Sequence, residues 1–352
     1  MDLPLIVAVS LALVATYVVR QVLAFWARLD QDSSEGLQLQ IEDPSSIKPL
    51  LCPSIWGAAT KRLSVVVPAY NEEDRLPATL DETLAYLQRR RNKEGPAFTY
   101  EVIIVDDGSK DSTAAVAMGF VKRHGVDAVR LLRLPYNCGK GRAVREGMLI
   151  ARGELCLMMD ADGATRVSDM ENLEAAVKEV AVASWGKGKT LTSSAATAVP
   201  DAGGPLAVAV GSRAHLEKAA LAQRSKLRNF LMHGFHFLVT FVAGHAVADT
   251  QCGFKMFTRR AAAVLYTNQR LQRWCFDVEL LFLAQRLGVP VKEVQVQWVE
   301  MPGSKIRFTS ILHMAFELVS LKLAYQWLGL WRVAEETAAH GRINAPGRAK
   351  AS

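Results

Sequence analysis

Pairs of carboxylates stand at the ends of apolar runs in this chain. Asp160-Ala-Asp162 directly follows Glu154 to Met159, so two acids one residue apart sit where a strand gives out. Placed so, both can face one small hard cation, Mg2+ or Mn2+, whose remaining positions phosphate oxygens complete. Asp also favours turns, and a plain turn is the competing reading. Asp106-Asp-Gly-Ser109 repeats the pattern after Tyr100 to Val105. Its acids can accept hydrogen bonds from a base or ribose, or only shape the turn at Gly108. Asn137-Cys-Gly-Lys-Gly-Arg142 sets two glycines, Lys140 and Arg142 at a helix start, where N–H groups and cations favour phosphate. A glycine turn with solvated cations is the alternative. The spacing is not that of a P-loop, and Val144 at the last glycine position breaks the dinucleotide fingerprint, which disfavours a nucleotide-dependent dehydrogenase. Gly211 to Arg213, Asp249 to Lys255, Trp274 to Glu279 and Gly303 to Lys305 each join a turn-former to charge. There is no GxSxG elbow for a serine nucleophile. His233, His236 and His245 do not match HExxH and read as packed or interfacial.

These residues need a scaffold. Leu63 to Val67, Tyr100 to Val105, Val129 to Leu134 and Glu154 to Met159 read as buried strands, each followed by a helical pattern. Four such units predict an α/β fold with a mostly parallel sheet flanked by helices, its ligands bound outside the carboxyl ends of the strands. Another strand, Ala207 to Val210, follows a stretch from Ala183 to Leu206 rich in Ala, Gly, Ser and Thr, which reads as a mobile surface insertion.

The chain has 352 residues, enough for two domains or one large domain with attachments. Half of it is apolar and 22% is charged, which excludes a wholly disordered or collagen-like chain. The net charge of +7 suits phosphate-bearing ligands or an anionic membrane face without proving either. Five scattered cysteines form no CxxC pair and no zinc spacing, so free thiols in a reducing compartment are expected.

Leu3 to Val19 is uncharged and almost wholly apolar, and Val22 to Trp26 resumes the run. A helix over Leu3 to Trp26 would rise about 36 Å, against a hydrocarbon core of about 30 Å. Arg20 and Arg28 lie on its C-terminal side, which predicts a single transmembrane anchor with the rest of the chain cytosolic. Phe230 to Ala248 and Phe308 to Trp331 are too apolar for ordinary surface helices. In the second, His313, Glu317, Lys322 and Gln326 predict one polar stripe. Both are read as amphipathic helices in the membrane interface, with core or dimer-interface helices as the alternative. The expected divisions are 1–28 anchor, 29–60 juxtamembrane linker, 61–225 nucleotide-sugar-binding core, 226–335 acceptor-side and membrane-interface region, and 336–352 flexible tail.

Taken in order, Val65 to Glu73, Val105 to Ser109, Asn137 to Gly141 and Asp160-x-Asp162 resemble the inverting nucleotide-sugar transferases of glycosyltransferase family 2, which have the GT-A fold. The resemblance spans about Leu63 to Trp331. Asp160 to Thr165, Gly211 to Glu217, Gln223 to Ser225, Gly234 to Val239, Asp249 to Lys255, Arg273-Trp274 with Phe276 to Leu280, and Gly303 to Lys305 resemble in particular the dolichyl-phosphate β-glucosyltransferases. Departures are the insertion near Ala183 to Leu206 and Cys138 inside the glycine turn. The resemblance implies transfer of glucose from UDP-glucose to dolichyl phosphate at the cytosolic face of the endoplasmic reticulum membrane, for N-glycan precursor assembly. It implies Mg2+ or Mn2+ on Asp162 and Asp160, a donor site of Pro68, Tyr70, Glu72, Asp107, Lys140 and Asp160, and Asp249 as base or as a positioning group. An anionic acceptor phosphate would need cations, and Arg213, Lys255 and Lys305 are the candidates. A GDP-mannose-dependent mannosyltransferase and a non-catalytic nucleotide-binding membrane tether remain the alternatives. The membrane is an expected partner and nucleic acid is not; the oligomeric state is open.

Overall fold

Apolar runs such as Leu63 to Val67 lack polar alternation, so their strands must be covered on both faces. The computed structural model, which describes residues 13, 16–17, 19–29, 39–46, 50–185, 204–214, 247–301, 308–336 and 339, shows that cover. The strands are β1 (Lys61–Ala69), β2 (Tyr100–Asp106), β3 (Val129–Arg133), β4 (Gly153–Met158), β5 (Val208–Ser212), β6 (Lys255–Thr258) and β7 (Val291–Gln295). They form one seven-stranded sheet in the order β3-β2-β1-β4-β6-β5-β7. Only β6 runs antiparallel to its neighbours. The helices are α1 (Leu76–Glu94), α2 (Thr113–His124), α3 (Lys140–Leu149), α4 (Met170–Trp185), α5 (Arg259–Asn268), α6 (Phe276–Arg286) and α7 (Phe308–Leu321), the last continued as a π-helix over Lys322–Trp327.

Alternate residues of each central strand enter different cores. Val66, Ile103 and Val105 join α3, α5 and α6 on one face. Val65, Val67, Val102 and Ile104 join α1, α2 and α4 on the other. The predicted four strand–helix units are present, with one local difference. Pro68 does not end the first strand: β1 runs on to Ala69, and Pro68 lies in register with Val105. In this topology the carboxyl ends of β1, β2, β4 and β5 and the start of β6 share one rim.

The divisions drawn from the sequence meet three features of the fold. The core does not close at residue 225, because β6 is inserted between β4 and β5. The stretch 29–60 is not a free stalk: Ile41, Ile55 and Trp56 are buried, and Ile41 bridges to both Leu50 and Leu132. Helical residues 19–29 also pack on the domain, with Phe25 against Phe316 and the Trp331 indole N–H donating to the Trp26 carbonyl. No helix among the described residues is long and apolar enough to cross a membrane. Most of the proposed anchor, nearly all of 230–248 with its three histidines, and the core of the insertion lie outside the described residues.

The polar stripe on α7 is also revised. Glu317 points inward and accepts from Trp274 N and Cys275 N at 3.3 and 3.1 Å, capping the start of α6. Phe316 and Val319 are exposed instead.

Candidate active site

Asp160 and Asp162 follow β4 on the shared rim. Their backbone is held from two sides. Thr79 of α1 donates its hydroxyl to the Ala161 carbonyl at 3.0 Å, and Val299 N donates to the Ala164 carbonyl at 2.9 Å. Asp160 lies flat over Gly253, where an added Cβ would stand 2.0 Å from Oδ2. Any side chain there would push the Asp160 carboxylate out of its place, so glycine keeps that position for the acid.

One cation contacts this acid and two others lie within electrostatic reach. Lys140 Nζ lies 2.6 Å from Asp160 Oδ1. Arg75 and Arg213 both feel the charge of Asp160. Asp162 accepts from Ala164 N at 3.0 Å and has no other hydrogen-bond partner among the described residues. Burial and then the neighbouring Asp160 push its carboxyl above the usual range, while the Ala164 N–H, Lys140 and Arg75 pull it back in part. A carboxylate disfavoured in this way gains from an added cation. The donor set fits a hard divalent ion: two carboxylates, with no third His, Cys, Asp or Glu completing a cluster among the described residues. Phosphate oxygens and water would supply the other positions.

The glycine turn is built for a different purpose than phosphate. Cys138 N and Gly139 N donate to the two oxygens of Asp107 at 2.7 and 2.9 Å. Gly141 N and Arg142 N donate to the carbonyls of Arg273 and Gln272. These four N–H groups are therefore taken by the protein. Gly139 sits at φ 103, and a Cβ there would meet the Gln272 carbonyl at 2.6 Å. Arg142 is buried against Glu146, and Lys140 reaches Asp160, so neither cation is solvated in the way the simple turn reading expects. Burial first, and Asp106 in addition, raise Asp107 to about 6 against the pull of its two N–H donors and Arg273.

Other donor-site candidates are positioned but engaged. Glu72 forms a two-point pair with Arg75 at 2.7 and 2.6 Å. Its N–H donates to Thr113 Oγ1. Asn71, at φ 51, ties the β1 end to the β2 end by donating to Ser109 and accepting from Lys110 N. Tyr70 stands half-buried just beyond β1, and Pro68 lies inside the sheet.

Across the rim, Arg213 and Asp249 lock together. Arg213 Nε and Nη2 donate to Asp249 at 2.7 and 2.9 Å, and the Arg213 N–H adds a third bond at 2.9 Å. Burial alone would raise Asp249, but the hydrogen bonds and charge of Arg213 outweigh it and hold the carboxyl below its usual range. Trp298 lies against the Arg213 guanidinium at 5.3 Å. Lys255 does not reach an open acceptor site. It is 1% exposed, and its ammonium meets Asp277 at 2.5 Å and the Cys252 carbonyl at 2.7 Å. Lys305 lies outside the described residues.

Sequence reasoning passed over Arg75 and Trp298, and took in Gly253 and Asp277 only as members of longer motifs. The Glu72/Arg75 spacing of three was a usable signal. The other three are brought in by β6, α6 and the segment after β7, from far along the chain.

Residues 64–189 match the model of glycosyl transferase family 2. Proteins named dolichyl-phosphate beta-glucosyltransferase are similar over most of their length. The Homo sapiens protein is 48% identical over 284 residues, 80% of this chain and 81% of its own. The Drosophila melanogaster protein is 49% identical over 293 residues, 83% of each chain. The Saccharomyces cerevisiae protein is 38% identical over 275 residues, 77% of this chain and 76% of its own. Among solved structures, the glucosyl-3-phosphoglycerate synthase of Mycobacterium tuberculosis with UDP covers 75% of this chain and 80% of its own, with a TM-score of 0.45 and 16% identity. With a GT-A-like, mostly parallel sheet carrying an acid pair on its rim, the chain belongs to the dolichyl-phosphate beta-glucosyltransferases of glycosyl transferase family 2.

Proposed function

We propose that this chain transfers glucose from UDP-glucose to dolichyl phosphate with inversion, giving dolichyl β-D-glucosyl phosphate and UDP. The observation that carries the reading is the Asp160/Asp162 pair on the sheet's carboxyl rim, with Lys140 against it and Arg75 and Arg213 within electrostatic reach. An acceptor phosphate oxygen forms the new bond to the anomeric carbon, and the bond to UDP breaks with its electron pair leaving on the diphosphate. The acceptor is a phosphate monoester with a second pKa near 6, so at neutral pH it is largely a dianion. It carries no proton that a base must remove, and the grip of Arg213 on Asp249 suits a positioning role for that acid.

Asp162 and Asp160 would hold Mg2+ or Mn2+, which when bound supplies charge neutralisation for the leaving diphosphate. Arg213, oriented by Asp249 and Trp298, is the cation assigned to the acceptor phosphate, with Lys305 as a second candidate. Orienting two anions against each other is where such cations act. Tyr70, Glu72 and Asp107 are assigned to the uridine side, where Asp107 also fixes the turn that carries Lys140.

A lipid acceptor requires the rim to lie near headgroups. Membrane association through the N-terminal apolar run belongs to this reading, on the cytosolic face of the endoplasmic reticulum. Exposed Leu23, Phe316, Val319, Trp327 and Leu328 support it. The test presents radiolabelled UDP-glucose or GDP-mannose with dolichyl phosphate to the full chain in detergent, followed by organic extraction. Label in the lipid phase from UDP-glucose supports the reading. Label only from GDP-mannose replaces it with mannosyl transfer, and no label from either donor favours a non-catalytic tether.

A further inference from the structure

The ion pair between Lys140 and Asp160 has a built setting. The oxygen that Lys140 meets, Asp160 Oδ1, is sealed from solvent. The lysine is anchored at its root, because the N–H groups on both sides of it are bonded to Asp107 and to the carbonyls of Gln272 and Arg273. Behind it stands Asp277, fully enclosed and paired with Lys255. Asp277 adds to the field on Lys140, second to Asp160 and ahead of Asp162. The charges thus run acid, acid, ammonium, acid, ammonium: Asp162, Asp160, Lys140, Asp277, Lys255. Three carboxylates against two ammonium groups leave one negative charge. The Lys140 ammonium therefore holds one oxygen of a carboxylate that a divalent ion would use, and neutralises charge that would attract it.

We propose that Lys140 is a built-in counterion for the acid pair, which a divalent cation must displace from Asp160 and which the donor's diphosphate draws away. Lys140 is then a positioning residue that couples two binding events. Without nucleotide it weakens cation binding. With nucleotide, its ammonium has a second anion to turn to, Asp160 is released, and cation and nucleotide favour each other. The inference rests on the assignment of the cation to Asp160 and Asp162.

The test measures Mn2+ binding to the full chain in detergent, from the free-ion electron paramagnetic resonance signal, with and without UDP. Without UDP, Lys140→Met should bind Mn2+ roughly fivefold or more tightly than wild type, the low end of ordinary coupling between sites. Lys140→Arg keeps the charge and can grip a carboxylate at two points, so it should bind Mn2+ no more tightly than wild type. The gain in Mn2+ affinity on adding UDP should shrink in Lys140→Met. The proposal is overturned if Lys140→Met binds nucleotide-free Mn2+ no more tightly than wild type, or if Lys140→Arg binds it more tightly. Asp162→Asn separates the two levels. Mn2+ binding with UDP that ignores Asp162 removes the metal assignment itself. Binding that needs Asp162 but ignores Lys140 removes only the role of Lys140.

Discussion

The two ends of the parallel strands both carry buried charge, but in opposite states of satisfaction. At the amino end, Glu101 accepts from Ser64, the Arg152 N–H, the Arg152 side chain and Arg130, at 2.6, 2.7, 2.8 and 3.1 Å. Arg152 and Lys61 also meet Asp127. Four donors fill one carboxylate, and cations outnumber acids. At the carboxyl end, Asp160, Asp162 and Asp277 share Lys140 and Lys255, and burial pushes Asp162 and Asp277 above the usual range. A saturated network holds strands together, whereas an acid-rich, undersaturated one is prepared for a positive ligand. The ends differ in donor count and also in depth, since the Glu101 side chain is fully buried and that of Asp160 is 34% exposed.

Breaking the amino-end network should have the largest effect on folding. Glu101→Ala leaves buried Arg130 without its acid, and removing one partner of such a pair costs about 3–5 kcal/mol. Urea unfolding should show that loss, while the folded fraction keeps its affinity for UDP. The opposite pattern is expected at the other end. Asp162→Asn should lower glucose transfer by about 100- to 1,000-fold, the scale of losing one preorganised charge-stabilising group, with the urea midpoint held or raised. If Asp162→Asn unfolds the protein as readily as Glu101→Ala does, the contrast between the two ends is lost.

A smaller effect is expected at Asp249. With an acceptor that is already ionised, Asp249→Asn should slow transfer about tenfold by loosening Arg213 and leave the shape of the pH–rate profile unchanged. Disappearance of the acidic limb in that variant would make Asp249 the base. The smallest effect is a pH dependence at Asp107. Its carboxyl is raised to about 6, so the folded chain holds a proton that the unfolded chain has lost between about pH 4 and 6. The stability it contributes is complete below its unfolded value and falls as pH rises through about 6. Between pH 5 and pH 7, wild type should lose more stability than Asp107→Asn; equal losses would remove that account.

Much of the scaffold was legible in the sequence. Continuous β-branched runs ended by Asp and Gly have one physical solution, a sheet covered on both faces with its acids on the carboxyl rim. The insertion of antiparallel β6 between β4 and β5 was not legible, because Lys255 to Thr258 is short and lacks an alternating pattern. Individual partners were also hidden. Lys255 reads as an available cation until Asp277 arrives from another helix. The glycine turn reads as a phosphate cradle until Asp107 and the carbonyls of Gln272 and Arg273 take its N–H groups. Glu317 fits a surface stripe by spacing, yet it caps α6. Spacing reports which residues share an element, but it does not report which element will face them.

The central claim is that the acid pair on the carboxyl rim serves glucose transfer to a lipid phosphate. The most direct measurement gives wild type and Asp162→Asn the same radiolabelled UDP-glucose, dolichyl phosphate and Mn2+, and counts the label extracted with the lipid. The account predicts labelled lipid from wild type and a loss of about 100-fold or more in the variant. Equal label from both proteins would contradict it.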